Sequence, residues 1–288
     1  MSDFSETSKA RHLRPDGRLM LNEDGRGSAT LRPLSCELSC LHRSDGSALW
    51  KSGSTHVLAA VYGPVSPRLP SQEKGDEAVV SVVIKSGNHN NAASSSSSSS
   101  TGTGMIEREW EQLLINVLTA CIDTKLYART VVEVVLQVVQ DDGGGLAAAL
   151  HAAVAALMDA GVGMTNLPVA TTFVIMNHPS SSEEDPTKEK LILLDPSSEE
   201  ELDPEASVLV LITENERPER ILATHSMVAC SPTTKTNSNK GTAASLSHST
   251  ILSCAQAAAK ATPAVVTFWR LAVEQRVTRE SQTLWSSS

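Results

Sequence analysis

The sequence predicts an α+β fold with an internal duplication. Strands cluster ahead of helices, the hydrophobic period changes from two to 3.6 residues near Ile106, and the strand-then-helix order restarts beyond Gly161.

In chain order, residues 29–35, 37–42, 55–62 and 78–85 read as strands, separated by Ser-Asp-Gly and Tyr-Gly-Pro punctuation. Ile106, Trp110, Leu113, Leu114, Val117, Leu118 and Cys121 then fall on one face of an amphipathic helix, opposite Glu107, Glu111 and Gln112. Residues 131–140 (VVEVVLQVVQ) are branched almost throughout and read as a central strand. Residues 146–160 form an alanine-rich helix with Gly161 past its end. Strands follow at 169–176, 190–194, 207–213 and 221–229, then a helix over 251–276 interrupted at Pro263.

Residues 86–104, 179–190 and 231–250 are rich in Ser, Thr and charge and read as low-complexity insertions. With a disordered start over 1–12 and a tail over 281–288, about 217 of the 288 residues remain for a core within a single domain over 13–280. No membrane span is expected, because the longest apolar stretch, 147–164, is broken by His151 and Asp159. The amino terminus shows no apolar signal core.

Composition excludes some functions. Lys plus Arg number 24 against 33 Asp plus Glu, a formal charge of −9, and aromatics are only 3%. A chain gripping nucleic acid by itself, through a broad basic or stacking surface, would be built otherwise. The five cysteines form no C-x-x-C pair, which argues against a zinc module and for reduced thiols. P-loop, HExxH, GxSxG and GxGxxG signatures are absent.

The sharpest local feature is Gln140-Asp141-Asp142-Gly143-Gly144-Gly145, a glycine loop joining a buried strand to a helix N-terminus. Free N–H groups and the helix dipole there can hold a phosphate. A tight turn, with Asp141 or Asp142 capping the helix, is the other reading, favoured by the two acids and by the lack of Lys or Arg until Lys188. Asp195, Glu199, Glu200, Glu201 and Asp203 form an acidic run that reads either as a solvated loop or as oxygen ligands for Mg²⁺. His151 and His56 read as packing residues. Asp16-Gly17 and Asp45-Gly46 read as turns.

Taken together and in order, several stretches resemble the ribonuclease PH family, more closely the eukaryotic branch that forms the ring of the RNA exosome. They are Arg14-Pro15-Asp16-Gly17-Arg18, Leu31-Arg32-Pro33, Gly46-Ser47-Ala48-Leu49-Trp50, the run from Gly53 to Pro64, Glu107-Arg108-Glu109, Gln140-Asp141-Asp142-Gly143-Gly144 and the run from Ala152 to Val162. The resemblance implies duplicated ββαβα halves. It also implies phosphorolysis of RNA 3′ ends at a Gly-Gly-Thr-Arg loop, with nearby acidic residues as metal ligands or acid catalyst. In this sequence that loop reads Gly143-Gly144-Gly145-Leu146, so the hydroxyl and the guanidinium are both missing. Asp195 matches one family carboxylate, and Glu201 stands where the other would be Asp.

The resemblance therefore implies a non-catalytic ring subunit with a degenerate site at Gly143, Gly144, Gly145, Leu146, Asp195 and Glu201, needing no cofactor and no metal. Implied partners are other ribonuclease PH-like subunits in a six-membered ring, RNA-binding cap subunits and a catalytic nuclease, with single-stranded RNA passing through the pore. The implied role is 3′-to-5′ RNA processing and degradation, rRNA maturation included, in nucleus, nucleolus and cytoplasm. Arg108, Arg14 and Arg18 are the RNA-contact candidates. The alternative is a metal-dependent hydrolytic nuclease using Asp195 and Glu201, acting as a homodimer; a free-standing phosphate or nucleotide binder is a third reading.

Overall fold

A computed structural model describes residues 27–67, 73–86, 100–177, 190–202, 206–228 and 247–286. The first half builds a five-stranded sheet from β1 (Leu34–Leu38), β2 (Gly46–Ser52), β3 (Thr55–Val65), β4 (Val79–Ser86) and β5 (Val131–Gln140), in the order β1-β2-β3-β5-β4. α1 (Ser100–Cys121) and a short 3-10 turn (Thr124–Tyr127) carry the chain from β4 to β5, which run parallel. The second half builds a sheet of order β7-β6-β8-β9 from β6 (Pro168–Asn177), β7 (Lys190–Leu194), β8 (Ser207–Glu214) and β9 (Ile221–Val228), antiparallel throughout. α3 (Ser198–Glu201) follows β7, and α4 (His248–Ser286) closes the fold. The halves share a loose element order, ββαβα within the first and ββαββα in the second, but only the first has a parallel pair.

The helix α2 (Gly145–Asp159) lies between the two sheets, with 13 of its 15 residues buried. Its alanines are what permit this position, because a small side chain lets strand backbones approach closely. Gly46 shows how close: a Cβ there would lie 2.3 Å from the Ala160 nitrogen and 2.4 Å from the Ala156 oxygen. The Asp45-Gly46 pair therefore does a second job beside the bend at 42–45, opening a strand pressed against the helix end. The main core joins α2 to β2, β3 and β5, and reaches Val265, Val266 and Trp269 of α4. His151 is buried between Trp50 and Trp269 and accepts a hydrogen bond from the Ala170 N–H at 3.2 Å. Burial pushes its pKa down to about 4, so it is the neutral packing residue expected.

Several expectations need correction. Residues 29–33 are not strand, and the second strand lies at Gly46–Ser52, where the Ser, Gly and Lys of GSALWKS hide a segment that pairs with both β1 and β3. The insertion expected over 86–104 is shorter, since β4 includes Ser86 and α1 starts at Ser100. Likewise α4 begins at His248, inside the insertion placed at 231–250, and runs to Ser286 through the supposed tail. Pro263 does not break it, because Cys254, Ala258 and Ala261 before it and Val265, Val266 and Trp269 after it form one continuous buried stripe. By length and apolarity α4 could cross a membrane, but that stripe packs on β1, β6 and β8. Cys36, Cys40, Cys121 and Cys254 are free, and Cys230 lies outside the described residues, as do residues 1–12.

Candidate functional site

The glycine loop leaves β5 at Gln140 and turns into α2 through two residues in the left-handed region, Gly143 (φ +87°) and Gly144 (φ +67°). Glycine is required at 143, because a Cβ would meet the Pro196 carbonyl oxygen at 2.6 Å and the Ser197 carbonyl carbon at 2.7 Å. The loop is thus stitched to the β7–α3 turn. The Ser198 N–H donates to the Asp142 oxygen at 3.1 Å, and the Ser198 hydroxyl to the Asp142 carboxylate at 2.9 Å. On the other side the Thr55 hydroxyl donates to the Gly143 oxygen at 2.8 Å and accepts from the Asp142 N–H at 3.0 Å.

Behind the loop lies a buried ion pair that composition does not reveal. Arg32, just ahead of β1, meets Asp195 at the end of β7, with side chains 3% and 12% exposed. Its Nη2 and Nε donate to Asp195 Oδ1 at 2.6 and 2.9 Å, and its backbone N–H donates to Oδ2 at 2.8 Å. The remaining guanidinium hydrogens reach the Asp142 and Gly143 oxygens, each at 2.8 Å. Burial by itself would lower the Arg32 pKa; the hydrogen bonds and charge of Asp195, with the charges of Asp142 and Glu201, hold it above its ordinary value. The loop therefore does have a fixed cation, contrary to the search for Lys or Arg downstream of it. That cation faces carbonyls and a carboxylate.

The anion at the loop is the protein's own. Glu201, the last residue of α3, accepts the Gly144 N–H at Oε1, 2.8 Å away. Burial raises its pKa to about 7, with the Gly144 hydrogen bond opposing and the Asp141 charge adding to the rise. Asp141, which accepts the Gly143 N–H at 3.1 Å, is also raised, chiefly by burial. Its carboxylate stands where a residue-145 side chain would go, since a Cβ on Gly145 would lie 2.6 Å from Asp141 Oδ2. Leu146 is buried and joins the main core. Both departures from Thr-Arg thus have a structural counterpart: a carboxylate fills one position and core packing the other.

Of the six degenerate-site residues, Gly144, Gly145, Leu146 and Glu201 line one end of a cavity of about 490 Å³ between α1, β5, α2 and the second sheet, while Gly143 packs on the Pro196–Ser198 turn and Asp195 lies behind the loop on Arg32. The acidic run is not a solvated loop: Glu200 is buried and accepts the Ser197 N–H at 3.0 Å, and Asp195 is buried. Both Asp195 oxygens are taken by Arg32, which leaves a poor donor set for Mg²⁺; among the described residues no group of three or more His, Cys, Asp or Glu is placed to hold a metal. Arg108 is exposed on α1, between Glu107 and Trp110, which line the cavity. Arg14 and Arg18 lie outside the described residues, as does Asp203. Sequence reasoning missed Arg32 and Thr55 as loop supports. Their only signal was membership of the Leu31-Arg32-Pro33 and Gly53-to-Pro64 stretches.

With this geometry in place, comparison with known proteins decides the family. A model of the 3′ exoribonuclease family, domain 1 (RNase PH), matches residues 30–163, the segment from Arg32's neighbourhood through the glycine loop and α2. Residues 30–163 carry a ribonuclease PH domain. Among curated ribonuclease PH relatives, an Arabidopsis thaliana protein named "Exosome complex exonuclease RRP46 homolog" is 38% identical over 148 residues, 51% of this chain and 56% of the relative. The Arabidopsis "Exosome complex component RRP41 homolog" is 34% identical over 167 residues, 58% of this chain and 66% of the relative. The chain thus spans little more than half the length of the RRP46 relative. The crystal structure of rice (Oryza sativa) Rrp46 superposes with a TM-score of 0.63 at 27% identity, over 86% of this chain and 97% of that one. An archaeal exosome core matches at TM-score 0.61 and 19% identity, which bears on the ribonuclease PH fold alone.

Proposed function

We propose that this chain is a ring subunit of an RNA exosome that does not itself carry out phosphorolysis. The carrying observation is the Glu201 carboxylate on the Gly144 N–H. Inorganic phosphate would have to displace an anion already seated there, next to Asp141 and Asp142, without the guanidinium that residue 146 would supply. A missing charge-assisted contact of this kind costs about 2 to 5 kcal/mol, or roughly 30-fold to several thousand-fold in binding. The likeness to RRP46 and RRP41 relatives and to the rice Rrp46 fold supports the ring reading.

In this reading the chain pairs with other ribonuclease PH-like subunits, under RNA-binding cap subunits and with a separate catalytic nuclease. Single-stranded RNA passes through the pore for 3′-to-5′ processing and degradation, rRNA maturation included, in nucleus, nucleolus and cytoplasm. Arg108 on the exposed face of α1 is the residue offered to RNA. Native mass spectrometry should find the chain once in a hetero-oligomeric ring, and both chain and ring should release no nucleoside diphosphates from RNA and phosphate through this subunit. Release abolished by Asp195→Asn would overturn the reading, and a homodimer releasing nucleoside monophosphates would favour hydrolysis instead.

A further inference from the structure

The cavity beside the glycine loop carries more unmet polar chemistry than a packing defect would. Its walls are apolar through Ile84, Val138, Leu146, Val210 and Met227. Among the described residues six buried side-chain polar atoms lack a hydrogen-bond partner, and three of them belong to residues that line this cavity: Thr172 Oγ1, Trp110 Nε1 and His225 Nδ1. Thr172 is 3% exposed and sits in the loop's immediate surroundings, 3.7 Å from where a Gly144 Cβ would be. Buried hydroxyls and ring nitrogens are normally satisfied, so three around one cavity point to a bound molecule.

Charge decides the kind of molecule. Asp141, Glu201 and Glu107 line the cavity from the loop, α3 and α1, and among the described residues no Lys or Arg does. Arg32, the guanidinium behind the loop, is taken by Asp195 and two loop carbonyls. Asp141 and Glu201 each spend one oxygen on a loop N–H, and among the described residues no donor meets the other.

We propose that this cavity binds a small organic cation, an amidinium or guanidinium group on a flat apolar body. The planar N–H face would bridge the free oxygens of Asp141 and Glu201, a bidentate pairing that a carboxylate pair favours. The Thr172 hydroxyl and the His225 ring supply further polar contacts, and the body lies along Trp110, Val138 and Leu146. An acceptor on that body would take the Trp110 N–H. The cavity is that of the degenerate site itself, and the proposal rests on Glu201 as the loop's anion but not on membership of a ring.

Binding must depend on pH. Glu201 faces Asp141, Asp195 and Arg32, with Glu107 and His225 across the cavity, and burial puts its pKa at about 7. A cation needs it ionised, so affinity should be about tenfold weaker at pH 6 than at pH 8. Glu201→Gln should remove that dependence.

The test is a titration of the full-length chain with benzamidine, followed by protein NMR or calorimetry. Neutral benzamide, benzoate and inorganic phosphate serve as comparisons. The expected result is saturable benzamidine binding at pH 8, about tenfold weaker for Glu201→Gln, which keeps an amide oxygen for the Gly144 N–H, and at least threefold weaker for the isosteric Thr172→Val. No benzamidine binding, equal binding of benzamide or phosphate, or affinity unchanged between pH 6 and 8 would each overturn the proposal.

Discussion

Replacing Arg32 by Met should be among the most damaging single changes in this protein, and the hydrogen bonds say why. The substitution removes the Nη2 and Nε contacts to Asp195 at 2.6 and 2.9 Å and keeps the backbone N–H at 2.8 Å. The loop carbonyls suffer less. Gly143 keeps the Thr55 hydroxyl and Asp142 keeps the Ser198 N–H. The cost is therefore dominated by loss of the guanidinium charge beside a buried carboxylate, about 3 to 5 kcal/mol. For a chain of this size that corresponds to a fall in Tm of roughly 6 to 20 °C. A double-mutant cycle in urea at pH 7.5 should show Arg32→Met and Asp195→Asn each costly and the double variant well below their sum, with a coupling of at least about 2 kcal/mol. A loss under about 1 kcal/mol for Arg32→Met, or additive effects, would refute the assignment of Arg32–Asp195 as the loop's anchor.

Four further outcomes follow from the same geometry. Because Glu201 binds its proton more tightly folded than unfolded, 7 against 4.5, wild-type stability should fall as pH rises between those values. Glu201→Gln should remove that slope, a difference of up to about 3 kcal/mol at pH 8 by chemical denaturation. Gly143→Ala should cost more than about 2 kcal/mol, since left-handed strain and a backbone clash add, whereas Gly161→Ala, also at positive φ but with nothing within 4 Å, should cost only about 1 to 2. Gly46→Ala should force β2 from α2 and lower Tm, visible as new amide exchange in both elements. Thr172→Val, which removes an unpartnered buried hydroxyl, should leave stability unchanged or raise it by up to about 1 kcal/mol.

What could be read from the chain was set by how local each determinant is. The branched run of β5 and the alanines of α2 carry their structure in consecutive residues, and the structure places them at Val131–Gln140 and Gly145–Asp159, close to expectation. β2 escaped because its Gly and Ser read as turn chemistry while its pairing partners lie on either side in sequence. α3 escaped because three consecutive glutamates look solvated until Glu200 turns back to cap the helix and Glu201 reaches the glycine loop. At the site, the glycines and Asp195 were legible from pattern and family likeness. The roles of Arg32 and Glu201 were not, because their partners lie 163 and 57 residues away, and only the packing of the two halves brings them into contact.

The central claim is that Glu201 holds the place phosphate would take. Its most direct test is a titration of the wild-type chain with inorganic phosphate followed by ³¹P NMR, with Glu201→Gln alongside. The account predicts no saturable broadening or shift for the wild-type protein at pH 7.5. Saturable phosphate binding by the wild type, weakened by substitutions in the glycine loop, would contradict it.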